Sequence, residues 1–167
     1  MDIYTTTKQA TELHKAGDTD GAIELLKSIN PLMAQQGDFN GLLKIIPYFQ
    51  KAGRYSEGVE YAEHQLIPLI SLACKVCFSQ RSEQTIESFR LRQTAELYAK
   101  LSLIAKREKV PSDLSRFTDL ENSLRQQADS MYQVGSDIDF DNEKELMSQL
   151  WGNDISSWPE AVAKRYR

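Results

Sequence analysis

Apolar residues recur every third or fourth position through most of the chain, the period of helices with one buried stripe, and no segment alternates β-branched and polar residues as a sheet requires. From Tyr55 to about Ser79, the run Val59, Ala62, Leu66, Ile70, Ala73, Cys77 predicts one long helix. Pro47 and Pro68 lie inside helical patterns, where a missing N–H and a ring clash predict a bend. After the polar turn Gln80-Arg81-Ser82, a segment carrying Ile86, Phe89, Leu97, Leu101 and Ile104 predicts a helix to about Lys109, ended by Val110-Pro111-Ser112. Ser112 or Asp113 then caps a further helix with Leu114, Phe117, Leu120, Leu124, Ala128 and Met131 inward, expected to end near Gly135.

The last stretch is more polar. Residues 136–142 read as a solvated linker, Asp141 as the cap of a short helix stopped by Gly152, and Ser157 with Glu160 as a capping box opening a final helix. The reading is therefore all-α, with residues 1–135 as one domain and 136–167 as a linker and two short helices packed back on it. Trp151 and Trp158 are the candidates for holding that tail in place.

A repeat lies in the first half. Lys15-Ala16-Gly17 and the residues to Glu24 align with Lys51-Ala52-Gly53 and the residues to Glu60, an offset of 36 residues. Each block reads as helix, glycine corner, helix, with Ala22 or Gly58 where the paired helices approach and Ile23/Leu26 or Val59/Ala62 on the buried stripe. These residues resemble a degenerate tetratricopeptide (TPR) repeat over about residues 4–68: Gly17 and Gly53 fit the inter-helix glycine, Tyr55 the aromatic after it, and Leu13 or Phe49 the apolar position four before it. The family's early tryptophan and leucine-glycine pair are absent, Thr19 replaces the aromatic in the first block, and the terminal proline is displaced to Pro31. The resemblance implies stacked antiparallel hairpins, closed here by the longer helices after residue 82, and a concave face that receives a peptide or protein partner. Placed by the two glycines, that face takes Thr7, Thr11, His14 and Lys15 from the first unit and Asn40, Leu43, Lys44, Gln50 and Lys51 from the second. Such a lining is polar and mildly basic, without a clamp for a C-terminal carboxylate.

Composition narrows the function classes. The chain has 167 residues, 20 Lys+Arg against 24 Asp+Glu, and a net charge of −4, so its whole surface is not built for phosphate backbones. Residues 90–109 form a local exception with Arg90, Arg92, Lys100, Lys106, Arg107 and Lys109. Cations near a helix C-terminus are favoured by its dipole, so nucleic acid is the alternative partner rather than the expected one. No charged and apolar leader opens the chain, and Leu66–Phe78 is too short to span a bilayer; with two cysteines, a cytoplasmic protein is expected.

Candidate chemistry is sparse. Cys74-x-x-Cys77 lacks the histidine or cysteine partners of a zinc site and falls within an apolar helical stripe, where core packing is expected. Asp137-x-Asp139-x-Asp141 opens like a calcium loop, but Asn142 and Ser148 occupy the places of its glycine and bidentate glutamate. No nucleophile elbow, phosphate loop or zinc-protease motif occurs, and neither His14 nor His64 has a nucleophile nearby in sequence. The expectation is a non-catalytic interaction module without metal or cofactor. Its alternative is a dedicated inhibitor, immunity protein or chaperone of one partner such as a toxin.

Overall fold

A computed structural model describes residues 2–167, and these form helices and turns without a strand. Seven helices follow in order: α1 (Ile3–Lys15), α2 (Thr19–Gln35), α3 (39–51), α4 (55–77), α5 (Glu83–Glu108), α6 (Pro111–Trp151) and α7 (Glu160–Tyr166). They pair as three antiparallel hairpins, α1/α2, α3/α4 and α5/α6, and α7 folds back on the end of α6. Side chains of the odd-numbered helices bridge one another on one side, through Lys44 to Thr11 and Gln50 to Glu108. The even-numbered helices do so on the other, through Lys27–Glu57 (3.4 Å) and Arg116–Glu63 (2.8 Å), and Arg54, at the N-cap of α4, reaches Asp20 of α2 (2.6 Å). The core runs between these layers, with Ile23, Leu26 and Ile29 of α2, Ile45, Ile46 and Phe49 of α3, Leu66 and Ile70 of α4, Leu97 of α5 and Phe117 of α6 fully or almost fully buried.

The hairpin corners share one hydrogen-bond scheme. At Gly17 the glycine N–H donates to His14 O (3.1 Å) and the next N–H, of Asp18, to Leu13 O (2.9 Å). Gly53 repeats this with Gln50 O (3.1 Å) and, through the Arg54 N–H, Phe49 O (2.9 Å), and Gly37, between the hairpins, does so with Ala34 O and Met33 O. All three have positive φ, +95°, +70° and +69° at Gly17, Gly37 and Gly53, the left-handed corner that glycine adopts without a Cβ penalty. Gly17 and Gly53 are thus equivalent corners, and an added Cβ would meet open space at either.

The third hairpin turns in the same way on Lys109, whose N–H donates to Lys106 O (3.3 Å) while that of Val110 donates to Ala105 O (3.0 Å). Lys109 is the only described non-glycine residue with positive φ, at 58°. Left-handed backbone costs such a residue about 1–2 kcal/mol, against about 0.5–1 kcal/mol that glycine loses through greater freedom in the unfolded chain. Lys109→Gly is therefore expected to stabilise the protein by about 0.5 kcal/mol, read as a higher urea midpoint at unchanged slope. A lower midpoint would mean that the lysine side chain itself supports the corner.

Neither Pro47 nor Pro68 breaks its helix. A 3-10 turn at Leu43–Ile45 precedes Pro47 and a π turn at Ala62–Leu66 precedes Pro68. Each changes the local ladder just where the proline ring would meet the carbonyl four residues earlier. Val110, without a side-chain bond, stands at the N-cap of α6, in place of Ser112 or Asp113; Asp113 instead accepts from the Tyr55 hydroxyl at 2.7 Å.

The expected end of α6 at Gly135 is corrected. The helix continues for 41 residues to Trp151, so residues 136–142 are helical rather than a linker, and Asp141 lies inside the helix instead of capping one. Gly135 is buried where α6 crosses the start of α5, and its missing side chain is what permits that approach: a Cβ there would lie 2.5 Å from Thr85 N and 2.9 Å from Thr85 Cα. One turn on, Asp139 accepts from Ser82 N (2.6 Å) and Thr85 Oγ1 (2.7 Å), closing the N-terminus of α5 from the neighbouring helix.

The tail departs from its expected cap as well. Ser157 ends a 3-10 turn, Ile155–Ser157, and its hydroxyl donates to Asp154 O (2.7 Å), while Pro159 occupies the N-cap of α7. Trp158 is buried with Ala163 and Tyr166 in a small separate cluster and donates its indole N–H to Gly152 O (2.8 Å). Trp151 stacks obliquely beside it, at 6.2 Å between ring centroids, and stays partly exposed.

Candidate functional site

The exposed side of the α1, α3 and α5 layer gathers most of the residues placed there by the glycine register. Thr11, on α1, accepts from Lys44 Nζ (3.5 Å) and from the Tyr48 hydroxyl (3.4 Å), both on α3. One turn further along, Lys51 Nζ lies 3.3 Å from His14 Nε2, and His14 Nδ1 lies 2.9 Å from Thr19 Oγ1. An ammonium can only donate, so Nε2 is the acceptor and Nδ1–H donates to Thr19. The imidazole also leans on the Tyr48 ring, centroids 4.9 Å apart. Thr11, His14, Lys44 and Lys51 therefore form one continuous polar seam between the first two hairpins.

The remaining assignments divide. Lys15 and Asn40 are exposed at the end of α1 and the start of α3, beside the seam but not bonded into it. Gln50 turns toward α5, donating to Glu108 Oε1 at 2.9 Å, and so joins the third hairpin to the second. Thr7 lies at the layer, its hydroxyl buried without a partner. Leu43 is a correction: it belongs to the core, 3% exposed, because the tighter 3-10 turn at Leu43–Ile45 rotates it inward while leaving Lys44 outward. Tyr48 and Thr19 were missing from the sequence reading. Tyr48 was legible in principle, since Lys44, Tyr48 and Lys51 sit at i, i+4 and i+7 on one stripe.

Lys8, Lys15, Lys44 and Lys51 form no ion pair among the described residues, as is also true of Lys75 on α4 and Lys144 on α6, whereas Lys27, Arg54, Arg90, Arg92, Arg116, Arg125 and Arg165 do. On α5, Lys100, Leu103 and Arg107 are exposed with the spacing i, i+3, i+7 shared by one helix face, and Leu103 keeps 56% of its surface in solvent. The charge run of residues 90–109 is thereby split. Arg90 pairs with Glu87 and Arg92 with Asp129, and the unpaired cations begin at Lys100.

The other candidate chemistry resolves into packing. Cys74 is buried, and burial first, then the neighbouring Cys77, pushes its thiol up to about 12, which leaves it protonated and unreactive at neutral pH. Cys77 corrects the core reading, since it is exposed and lays its sulphur against Gly37. Among the described residues no group of three or more His, Cys, Asp or Glu side chains could hold a metal ion, and no helix is long and apolar enough to cross a membrane. Compared with known protein families, with curated proteins and with solved structures, the chain matches none.

Proposed function

We propose that the chain is a non-catalytic interaction module that receives a peptide or protein partner across the layer formed by α1, α3 and α5. The observation that carries this reading is the seam of Thr11, His14, Lys44 and Lys51, whose two lysines have no carboxylate partner among the described residues. Cations at a seam with no carboxylate against them stay available to an outside partner. The three hairpins with one corner geometry support a TPR-like reading of the stack, and with it the assignment of the odd-numbered helices to the receiving face.

Affinity capture with wild type beside Lys44→Glu/Lys51→Glu and a control, Glu60→Lys on α4, tests the reading. A partner held by wild type and the control and lost from the double variant is the expected outcome. Equal retention by all three would remove the seam as the site. Nucleic acid is the second reading, because Lys100 and Arg107 on α5 are further exposed cations. It requires salt-dependent retention on a phosphate-bearing matrix that Arg107→Glu/Lys109→Glu abolishes.

A further inference from the structure

A second concavity lies at the far end of the third hairpin, where α4 stops, α5 begins and α6 crosses it. It encloses about 350 Å³, within the general range of small-molecule sites. One wall is the ring pair Phe78 and Phe89, nearly parallel at 9° with centroids 4.0 Å apart, and Tyr132 meets Phe89 edge-on at 6.2 Å. Phe140 closes the opposite side, backed by Tyr166 at 5.1 Å. Tyr132 and Phe140 remain 44% and 38% exposed, so these rings border an open cleft instead of completing a core.

Four charged side chains line the cleft, and three are already committed. Glu143 is paired with Arg165 at 2.7 Å, and Asp139 takes the Ser82 N–H and Thr85 hydroxyl at the start of α5. Arg81 is exposed and forms no ion pair and no side-chain hydrogen bond among the described residues, so its five guanidinium donors are open to solvent. Formal charges in the cleft cancel, and Asp139 already occupies the positive end of the 26-residue α5; Arg81 acts on Asp139 through its charge without bonding to it, which leaves its donors to an outside acceptor. A hollow of about 530 Å³ continues past Arg81, lined by Ser79, Gln80, Asn142 and Leu146 and by the same two carboxylates, Asp139 and Glu143, so any extension there is hydrophilic and uncharged.

We propose that this cleft binds a planar aromatic anion. The aromatic body lies against Phe78, Phe89 and Tyr132, where offset or edge-on ring contacts are favourable, and the carboxylate, sulfonate or phosphate meets Arg81. A cation is disfavoured despite the rings, because both carboxylates that could neutralise it already accept from donors of the protein itself.

Calorimetric titration of the full chain with 2-naphthoate tests this, beside Arg81→Gln, a distant control Lys106→Gln, and the uncharged analogue 2-naphthalenemethanol. Wild type and Lys106→Gln are expected to bind one naphthoate. Arg81→Gln, with unchanged circular dichroism, is expected to weaken binding at least tenfold, and the alcohol should bind wild type as weakly as naphthoate binds the variant. Tyr132→Ser, at a half-open surface position, should also weaken naphthoate. Absence of saturation by wild type at millimolar naphthoate, or equal affinity of Arg81→Gln and wild type, would overturn the proposal.

Discussion

Gly135→Ala is expected to destabilise the protein by about 3 kcal/mol, the upper part of the range for overpacking a tight contact. The new methyl would stand 2.5 Å from Thr85 N and 2.9 Å from Thr85 Cα, and these are backbone atoms at the first turn of a helix, unable to rotate away. Relief requires α5 and α6 to separate at this end, which also pulls Asp139 from Ser82 and Thr85. Gly17→Ala is the comparison: its Cβ enters open space, so only the left-handed backbone resists, at about 1 kcal/mol. Urea unfolding of the two variants should therefore separate them by about 2 kcal/mol. Equal losses would mean that the crossing at Gly135 is looser than described.

Asp139→Asn is expected to cost about 2 kcal/mol at pH 7, because it removes a charged acceptor serving two donors at a helix N-terminus. Burial pushes the Asp139 carboxyl up, but the hydrogen bonds from Thr85 and Ser82 outweigh it and hold the group below the usual carboxylate range. With the folded pKa below the unfolded value of about 3.9, the unfolded chain binds the proton first as pH falls. The contribution is then fully present above about pH 5 and is lost as pH drops through the folded pKa. Wild type and variant should accordingly differ at pH 7 and converge in strong acid, whereas Asp141→Asn, exposed on the same helix, should match wild type throughout. A gap that persists below pH 2 would show that the asparagine disturbs packing and not a charged cap.

The hairpin corners were legible because glycine after an apolar-periodic run carries a backbone requirement that few other residues meet. Gly17 and Gly53 revealed it through their 36-residue offset. A second echo went unread: Gly17-Asp18-x-x-Gly21 recurs as Gly37-Asp38-x-x-Gly41, and in both the aspartate accepts from the N–H of the second glycine at 2.8 Å. It marks the corner between hairpins, which the longer offset steps over. The third hairpin hid its corner because Lys109 adopts the glycine conformation without being glycine.

Gly135 misled for the opposite reason. A glycine after a fading apolar stripe reads as a helix end, yet here it marks close approach between helices. The polar stretch after it follows from the same geometry. α5 has reached its first turn, so α6 needs one inward carboxylate, Asp139, and no further apolar stripe to continue as a helix. The register places Leu43 outward, but the 3-10 turn at Leu43–Ile45 holds it in the core, and Gln50, one position round the helix from Lys51, turns toward α5.

The most direct test of the account is photo-crosslinking from the layer itself. With benzoylphenylalanine in place of Lys44 or Leu103, the captured partner should be crosslinked from both positions, and from neither Glu60 nor Glu145 on the opposite side and the far end of the fold. Crosslinks from Glu60 or Glu145, with none from positions 44 and 103, would place the partner elsewhere and contradict the assignment of the α1, α3 and α5 layer as the receiving surface.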